Sequence, residues 1–223
     1  MLKLSRQHLV SLSLLLATAL FAVSASARIE MGRDYDELIT PQPATSKDKI
    51  EVLEFFSYAC PHCAKMDPAL EPWVKKLPKD VSFSRSPVTF NDQITPLVKA
   101  YYALEGMGLL DKFTPRLFTA IHQTQELSDI GERGIAEWMG TQGVDAKKFA
   151  ASMSSFAVAG KTKRAKQVQQ SYNINGIPTF VVDGKYATGP ELTGSEQNTL
   201  RVLNELIAKA RQERASKKGA AGK

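Results

Sequence analysis

The chain has 223 residues and a formal net charge of +6, which comes from 29 lysines and arginines against 23 acidic residues. The basic residues are mixed with acidic ones, and no segment combines clustered basic and aromatic side chains, so we expect no nucleic-acid binding. The length is sufficient for one large domain, or for one domain that carries an insertion.

Residues 1–27 have the pattern of a secretory signal peptide. Lys3 and Arg6 precede an apolar run over residues 9–23, and the small triplet Ala-Ser-Ala follows at 25–27. The run is interrupted by hydroxyl side chains and is shorter than the roughly 20 apolar residues of a membrane span, which argues against a retained anchor. We therefore expect cleavage before Arg28 and export of the mature chain to an oxidising compartment. No later segment is long or apolar enough to cross a bilayer.

The next predicted elements are a strand, a tight turn and a helix. Residues 49–56, KIEVLEFF, are apolar and β-prone, which is typical of a strand buried in a sheet. From Pro61 onward the apolar residues recur at spacings of three and four, and a proline suits the first turn of a helix because its missing N–H would have no partner there. Cys60 is therefore expected at the N-terminus of this helix, and Cys63 about one turn inside it.

The sequence contains two cysteines, Cys60 and Cys63, with two residues between them. A structural disulfide stabilises mainly by closing a long loop, so this spacing gives it the least benefit. A zinc site needs four ligands, and His62 and His122 are the histidines left after cleavage. Covalent haem attachment requires a histidine directly after the second cysteine, where Ala64 stands. The pair is therefore predicted to carry out reversible dithiol chemistry.

This placement predicts different chemistry for the two thiols. The N–H groups and the positive dipole end of a helix stabilise a thiolate, so we expect the pKa of Cys60 to lie below its usual value. His62, when protonated, adds a cation close by. Cys63 is shielded and is expected to be the resolving thiol. Pro61 and His62 between the cysteines should favour the reduced form, which makes the disulfide a strong oxidant.

A second strand and a long helical segment follow. Residues 81–85 alternate between apolar and polar side chains, which predicts a strand. Residues 91–166 show helical periodicity interrupted by glycines, which predicts several short amphipathic helices inserted into an α/β chain. His122 lies on one of these helices and is interpreted as a surface or packing residue.

The last part of the chain predicts a hairpin and a helix. Residues 179–182 and 185–188 flank an Asp-Gly pair, which is a strong signal for a β-hairpin. A terminal helix is predicted over residues 195–211. Residues 213–223 carry no large apolar side chain, so we expect a flexible, solvated tail.

Two motifs together resemble a known family. CPHC at 60–63 follows an LEFFSY-type strand, and GIPTFVVDGKY occurs late in the chain, at 176–186. With these motifs the chain resembles the DsbA family of thiol:disulfide oxidoreductases of the bacterial periplasm, over roughly residues 35–210. Two departures concern Ala59, where an aromatic residue is common, and Ile177, where valine is frequent. They bear on substrate preference more than on chemistry.

The resemblance and the order of the elements imply an α/β thioredoxin fold with an inserted helical domain. The thioredoxin-like domain would comprise residues 28–90 and 167–212, and the inserted helical domain would comprise residues 91–166. The signal peptide would precede this unit, and the flexible tail would follow it.

The resemblance also implies further site residues. We expect a cis peptide bond between Ile177 and Pro178, with Pro178 packed against the disulfide. The backbone of Gly176 and Ile177 would be open to pair with an extended substrate. Glu54 matches a buried acid beneath the redox pair that would relay the proton of the resolving thiol. From the residues alone, Glu54 could instead lie solvated at the sheet margin.

The function implied by the resemblance is donation of the Cys60–Cys63 disulfide to reduced, folding exported proteins. DsbA proteins are themselves a standard example of a lowered cysteine pKa and an oxidising disulfide, so that expectation follows from the resemblance as well. Its expected partners are unfolded exported proteins and a quinone-linked membrane oxidase of the DsbB type. We expect a monomer without a metal or other cofactor.

Two alternatives stay open at this point. One is a disulfide isomerase or reductase, which works from the reduced state. Isomerases of this compartment usually carry a dimerisation domain, for which there is no room before residue 49. The other alternative is a non-catalytic periplasmic binding or chaperone module.

Overall fold

The computed structural model describes residues 28–44, 46 and 48–221. The predicted signal peptide, residues 1–27, lies outside these ranges. Within them, no helix has the length and apolar character needed to cross a membrane.

A mixed sheet organises the described chain. Its strands are β1 (Asp36–Glu37), β2 (Ile50–Phe56), β3 (Val81–Pro87), β4 (Thr179–Val182) and β5 (Tyr186–Thr188). The strand order is β1-β5-β4-β2-β3, with β2 parallel to β3 and the other neighbours antiparallel. Strand β2 lies between β3 and β4 and is buried along almost its whole length, as its apolar sequence predicts.

Helices surround this sheet and form a separate layer beyond it. They are α1 (Pro61–Val74), α2 (Thr95–Gly106), α3 (Leu110–His122), α4 (Glu132–Thr141), α5 (Ala146–Met153), α6 (Phe156–Ser171), α7 (Pro190–Thr193) and α8 (Glu196–Ala221), and a 3₁₀ turn over Asp92–Ile94 precedes α2. Helices α1 and α8 share one buried cluster with the sheet, in which Met66 and Leu70 pack with Leu203 and Leu206. The main elements follow the predicted order of strand, helix, strand, helical segment, hairpin and helix, and the short elements β1 and α7 are additional to that prediction.

A second core cluster joins the helical segment to the start of α1. Phe113, Leu117 and Phe149 are buried in it, together with Phe56 at the end of β2 and Cys63 in α1. The cysteine pair therefore lies where the sheet, its first helix and the helical segment meet.

The predicted hairpin between β4 and β5 is confirmed. Asp183 and Gly184 have φ values of 56° and 65°. The Lys185 amide donates a hydrogen bond to the Val182 carbonyl at 3.0 Å, which closes the tight turn. Two consecutive residues with positive φ match the twist of the flanking strands, which explains the Asp-Gly signal.

The prediction of a flexible tail from residue 213 is wrong for residues 213–221, because α8 continues to Ala221. Glu213 accepts hydrogen bonds from Lys185 and Tyr186, and Arg214 donates to Asp183. The hairpin supplies these partners, and the composition of the tail does not indicate them.

The predicted boundary between residues 166 and 167 falls inside α6, which ends at Ser171. The helical segment therefore continues past the expected end of the insert. The division of the chain into two domains stays a prediction.

Candidate active site

Cys60 is the N-cap residue of α1, as predicted. Its backbone is extended, with φ −88° and ψ 116°, and Pro61 stands in the first turn of the helix. The Cys60 sulfur accepts a hydrogen bond from the Cys63 amide at 3.3 Å. The preceding turn is held by Ser57, whose carbonyl accepts from the Cys60 amide at 3.0 Å. The sulfur therefore lies among the unpaired amides at the start of the helix.

The two cysteines differ in their accessibility. Both cysteines are free thiols in this structure. Cys60 is partly exposed, whereas Cys63 is only 1% exposed and packs in the core cluster of the helical segment. An incoming sulfur can therefore reach Cys60 far more readily than Cys63.

The same geometry separates the pKa values of the two thiols. A hydrogen bond from the Cys63 thiol is the main cause that lowers the pKa of Cys60 to about 6, against partial burial, which acts in the opposite direction. The backbone amides of Cys63 and His62 and the charge of His62 lower it further. Burial, followed by the neighbouring Cys60 sulfur, raises the pKa of Cys63. Cys60 is therefore the thiol that ionises near neutral pH.

The loop before β4 lies against Cys60. The Ile177–Pro178 bond is cis, as expected. The Cys60 thiol donates a long hydrogen bond to the Ile177 carbonyl at 3.7 Å. The Thr179 hydroxyl donates to the Gly176 carbonyl at 2.8 Å, which ties the start of the loop to β4. Pro178 is buried, and its predicted contact with the sulfurs stays a prediction.

A cleft of about 390 Å³ opens beside this loop and the start of α1. Ile177 and Pro178 form one side, and exposed His62 lies at its rim. Lys65 of α1 pairs with Glu196 of α8 at 2.9 Å across the cleft. The cleft thus combines a backbone loop, apolar rings and charged groups next to Cys60.

Glu54 is buried on β2, so the alternative of a solvated acid at the sheet margin is wrong. Its side chain is 2% exposed and accepts a hydrogen bond from Arg85 of β3 at 2.6 Å. Burial raises the pKa of Glu54, and the adjacent Arg85 opposes this effect. The proposed proton relay to Cys63 stays a prediction.

Sequence reasoning missed the partners of these residues. Arg85 and Asp67 form part of the Glu54 cluster, and the alternating pattern around Arg85 indicates only a strand. His122, predicted to be a surface or packing residue, has its Nε2 2.7 Å from the carbonyl oxygen of Tyr58, the residue two positions before Cys60. No local signal in the sequence indicates either contact, because both join distant segments.

Within the described ranges, no group of three or more His, Cys, Asp or Glu side chains is arranged to hold a metal ion.

Comparison with known proteins identifies the family. Residues 90–200 match the family model of the DSBA-like thioredoxin domain. The thiol:disulfide interchange protein DsbA of Burkholderia cepacia is 41% identical over 197 residues, which cover 88% of this chain and 92% of that protein. The chain belongs to the DsbA family. It is accordingly a protein disulfide oxidoreductase.

Solved DsbA structures have the same fold. The crystal structure of Pseudomonas aeruginosa DsbA has a TM-score of 0.78 at 35% identity, with 87% of this chain and 97% of that chain covered. Reduced DsbA1 from Neisseria meningitidis has a TM-score of 0.75 at 26% identity, with 85% and 99% covered. The predicted fold class, an α/β thioredoxin fold with an inserted helical region, is confirmed.

Proposed function

We propose that this DsbA-family chain oxidises reduced, folding exported proteins by donating a Cys60–Cys63 disulfide to them. The asymmetry of the two sulfurs carries the proposal. Cys60 is accessible and its pKa is lowered to about 6, whereas Cys63 is buried and its pKa is raised. A thiol pair of this kind favours its reduced form, which makes the disulfide a good oxidant.

The first step is attack of a substrate thiolate on the Cys60 sulfur of the disulfide. A bond forms between the substrate sulfur and Cys60, and the Cys60–Cys63 bond breaks. Cys63 leaves with the electron pair and takes up a proton, consistent with its raised pKa. The accessibility of Cys60 directs the attack to this sulfur.

The second step releases the oxidised substrate. A second substrate thiolate attacks the substrate sulfur of the mixed disulfide, and Cys60 leaves as a thiolate. The substrate loses two electrons, and the cysteine pair gains them. A low pKa makes Cys60 a good leaving group. A protonated Cys63 is a poor nucleophile, so it seldom expels the substrate before oxidation is complete.

The loop at Gly176 and Ile177 is the proposed docking site for the substrate backbone. The Ile177 carbonyl lies 3.7 Å from the Cys60 sulfur, so a chain joined to Cys60 would pass beside it. Extended peptides commonly bind by backbone pairing of this kind, which is tolerant of sequence. Pro61, His62 and Pro178 would border the path of the substrate.

The proposed setting is the bacterial periplasm, reached through a signal peptide cleaved before Arg28. Reoxidation requires an electron acceptor, and we assign this role to a quinone-linked membrane oxidase of the DsbB type. The chain would act as a monomer on unfolded exported proteins.

Two cysteine variants test the proposal. Cys60→Ser is expected to abolish oxidation of a reduced unfolded protein, and Cys63→Ala is expected to accumulate mixed disulfides through Cys60. An insulin-reduction assay run in parallel separates an oxidase from a reductase. Alkylation of Cys63 ahead of Cys60 at about pH 6 would reverse the assignment of the two thiols.

A further inference from the structure

One face of α3 contacts Tyr58, the residue two positions before Cys60. The Tyr58 hydroxyl shares a hydrogen bond with the Thr114 hydroxyl at 3.0 Å. The Phe118 ring packs edge-to-face on the Tyr58 ring, with centroids 5.3 Å apart. His122 Nε2 lies 2.7 Å from the Tyr58 carbonyl oxygen. Positions 114, 118 and 122 are spaced by four, so they project from the same side of the helix.

The chemistry of the His122 contact fixes its direction. A backbone carbonyl can only accept a hydrogen bond, so Nε2 of His122 must carry the proton and donate it. The second contact is also demanding, because Tyr58 is 1% exposed and its buried hydroxyl needs a partner. Thr114 supplies this partner from the same helix. Both polar ends of Tyr58 are thus held by α3.

The held residue belongs to the turn that presents Cys60. In this turn the Ser57 carbonyl accepts from the Cys60 amide, and the Ala59 amide donates to the Ser57 hydroxyl at 3.2 Å. The Tyr58 carbonyl lies between these bonds and points to α3. A rotation of this peptide group would move the N-cap residue that follows it. The positions of the Cys60 sulfur relative to the Cys63 amide and the Ile177 carbonyl depend on the same turn.

We propose that His122 is a positioning residue, which holds the turn before Cys60 through its hydrogen bond to the Tyr58 carbonyl and so keeps the Cys60 sulfur at the amide end of α1. The helical segment then contributes directly to the reactivity of the cysteine pair. This inference rests on the proposed function, in which Cys60 is the attacking and leaving thiol.

The test compares three substitutions at position 122. His122→Leu removes the donor and keeps an apolar side chain. His122→Gln places an amide N–H near the position of Nε2, whereas the shorter His122→Asn does not reach it. Thr119→Val, on the same helix, is the matched control for a general loss of polarity. Each variant is measured for the pH dependence of thiolate absorbance in the reduced full-length mature protein and for its equilibrium with glutathione.

His122→Leu and His122→Asn are expected to raise the pKa of Cys60 by about half a unit or more, which is about a threefold decrease in the acid dissociation constant of this thiol. His122→Gln should restore at least half of this shift, and Thr119→Val should leave the wild-type value unchanged. If His122→Leu does not fold, the comparison of Asn with Gln decides the question.

The inference is overturned if Asn and Gln behave alike, or if Thr119→Val causes the same shift. If Cys60 of the wild-type protein instead titrates like an ordinary thiol, the proposed function on which the inference rests is refuted. The two failures are therefore distinguishable.

Discussion

Arg85 and Glu54 face each other across parallel strands β2 and β3, with the Arg85 Nε atom 2.6 Å from a Glu54 carboxylate oxygen. The same guanidinium donates to Asp67 of α1 at 2.7 Å. All three side chains are at most 10% exposed. The Arg85 guanidinium thus forms ion pairs with two buried carboxylates. Burial raises the pKa of both Glu54 and Asp67. The negative charge of Glu54 also helps to raise the pKa of Cys63, after burial and the Cys60 sulfur.

The first prediction concerns proton transfer by Glu54. If Glu54 takes the proton of Cys63, Glu54→Gln should slow the attack of Cys63 on a mixed disulfide held by Cys60. A loss on the order of 100-fold corresponds to the lower end of general acid–base catalysis. The rate is measured by stopped-flow, after the reduced protein is mixed with a peptide disulfide.

Asp67→Asn is the matched control for this prediction, because it removes the other buried carboxylate that binds Arg85. It should destabilise the fold but leave the rate of the Cys63 attack within a few-fold of wild type. Equal slowing in both variants would show that the rate depends on the charge balance around Arg85, and the relay would be refuted.

The second prediction concerns the stability of the reduced protein as a function of pH. The folded pKa of Cys60, about 6, lies below its ordinary value of 9.0. The thiolate therefore stabilises the folded reduced state fully above about pH 9, and this contribution is lost as pH falls toward about pH 6. Its upper limit is about 4 kcal/mol, and solvent screening of the partly exposed sulfur lowers it. Cys63 is protonated in both states below about pH 7.5, so it adds no slope there.

Urea unfolding of the reduced and oxidised proteins at several pH values provides the measurement. As the pH rises from about 5 to about 8.5, the unfolding free energy of the reduced protein should increase relative to that of the oxidised protein. His62→Pro should reduce this shift, because it removes a backbone amide and a positive charge that act on Cys60. His62→Gln keeps the amide and should have a smaller effect. A difference that does not change with pH would contradict the thiolate argument.

The sequence predicts the parts of the site whose chemistry is local. Pro61 favours the first turn of α1, which places Cys60 at the N-cap, and the Asp183-Gly184 pair favours the hairpin turn. The cis bond before Pro178 is different, because local preference favours trans. The expectation of cis comes from the position of Pro178 directly before a strand and from the resemblance to a family.

The missed features depend on contacts between distant segments. Arg85 meets Glu54 because of the register of two strands that are 31 residues apart at this point. His122 contacts Tyr58, which is 64 residues away in the sequence, because α3 packs on the turn before Cys60. Periodicity shows which face of an element is buried, but it does not specify which polar group on another element lies opposite. For this reason the pattern predicts the elements and the thiols more fully than the residues that support them.

The third prediction concerns the end of α8. A chain that ends at residue 212 should lose about 1–2 kcal/mol of unfolding free energy, because Glu213 and Arg214 bind partly buried groups of the hairpin. A chain that ends at residue 217 keeps both contacts and should be as stable as the full mature chain. Both are measured by urea unfolding. Equal stability of the two truncated chains would show that the contacts of Glu213 and Arg214 do not stabilise the fold.

The last prediction concerns Gly189, which precedes α7 and lies against the cis-proline loop. Its backbone is extended, so the need for glycine comes from space and not from strain at φ. A Cβ atom at this position would lie 2.5 Å from the Pro178 carbonyl oxygen and 3.8 Å from the Thr179 Cα. Because the clashing atom belongs to the backbone, Gly189→Ala must displace the loop, at a cost of about 1–3 kcal/mol.

The displacement should also change the reactivity of Cys60, since the Ile177 carbonyl of the same loop lies 3.7 Å from the sulfur. We expect Gly189→Ala to alter the rate of Cys60 alkylation and to slow disulfide exchange with a model peptide. Gly108→Ala is the control. Gly108 has a φ of +68° and open space around it, so this variant should lose stability without displacing the cis-proline loop. If both variants lose stability and neither changes the alkylation rate, the loop does not control the reactivity of Cys60.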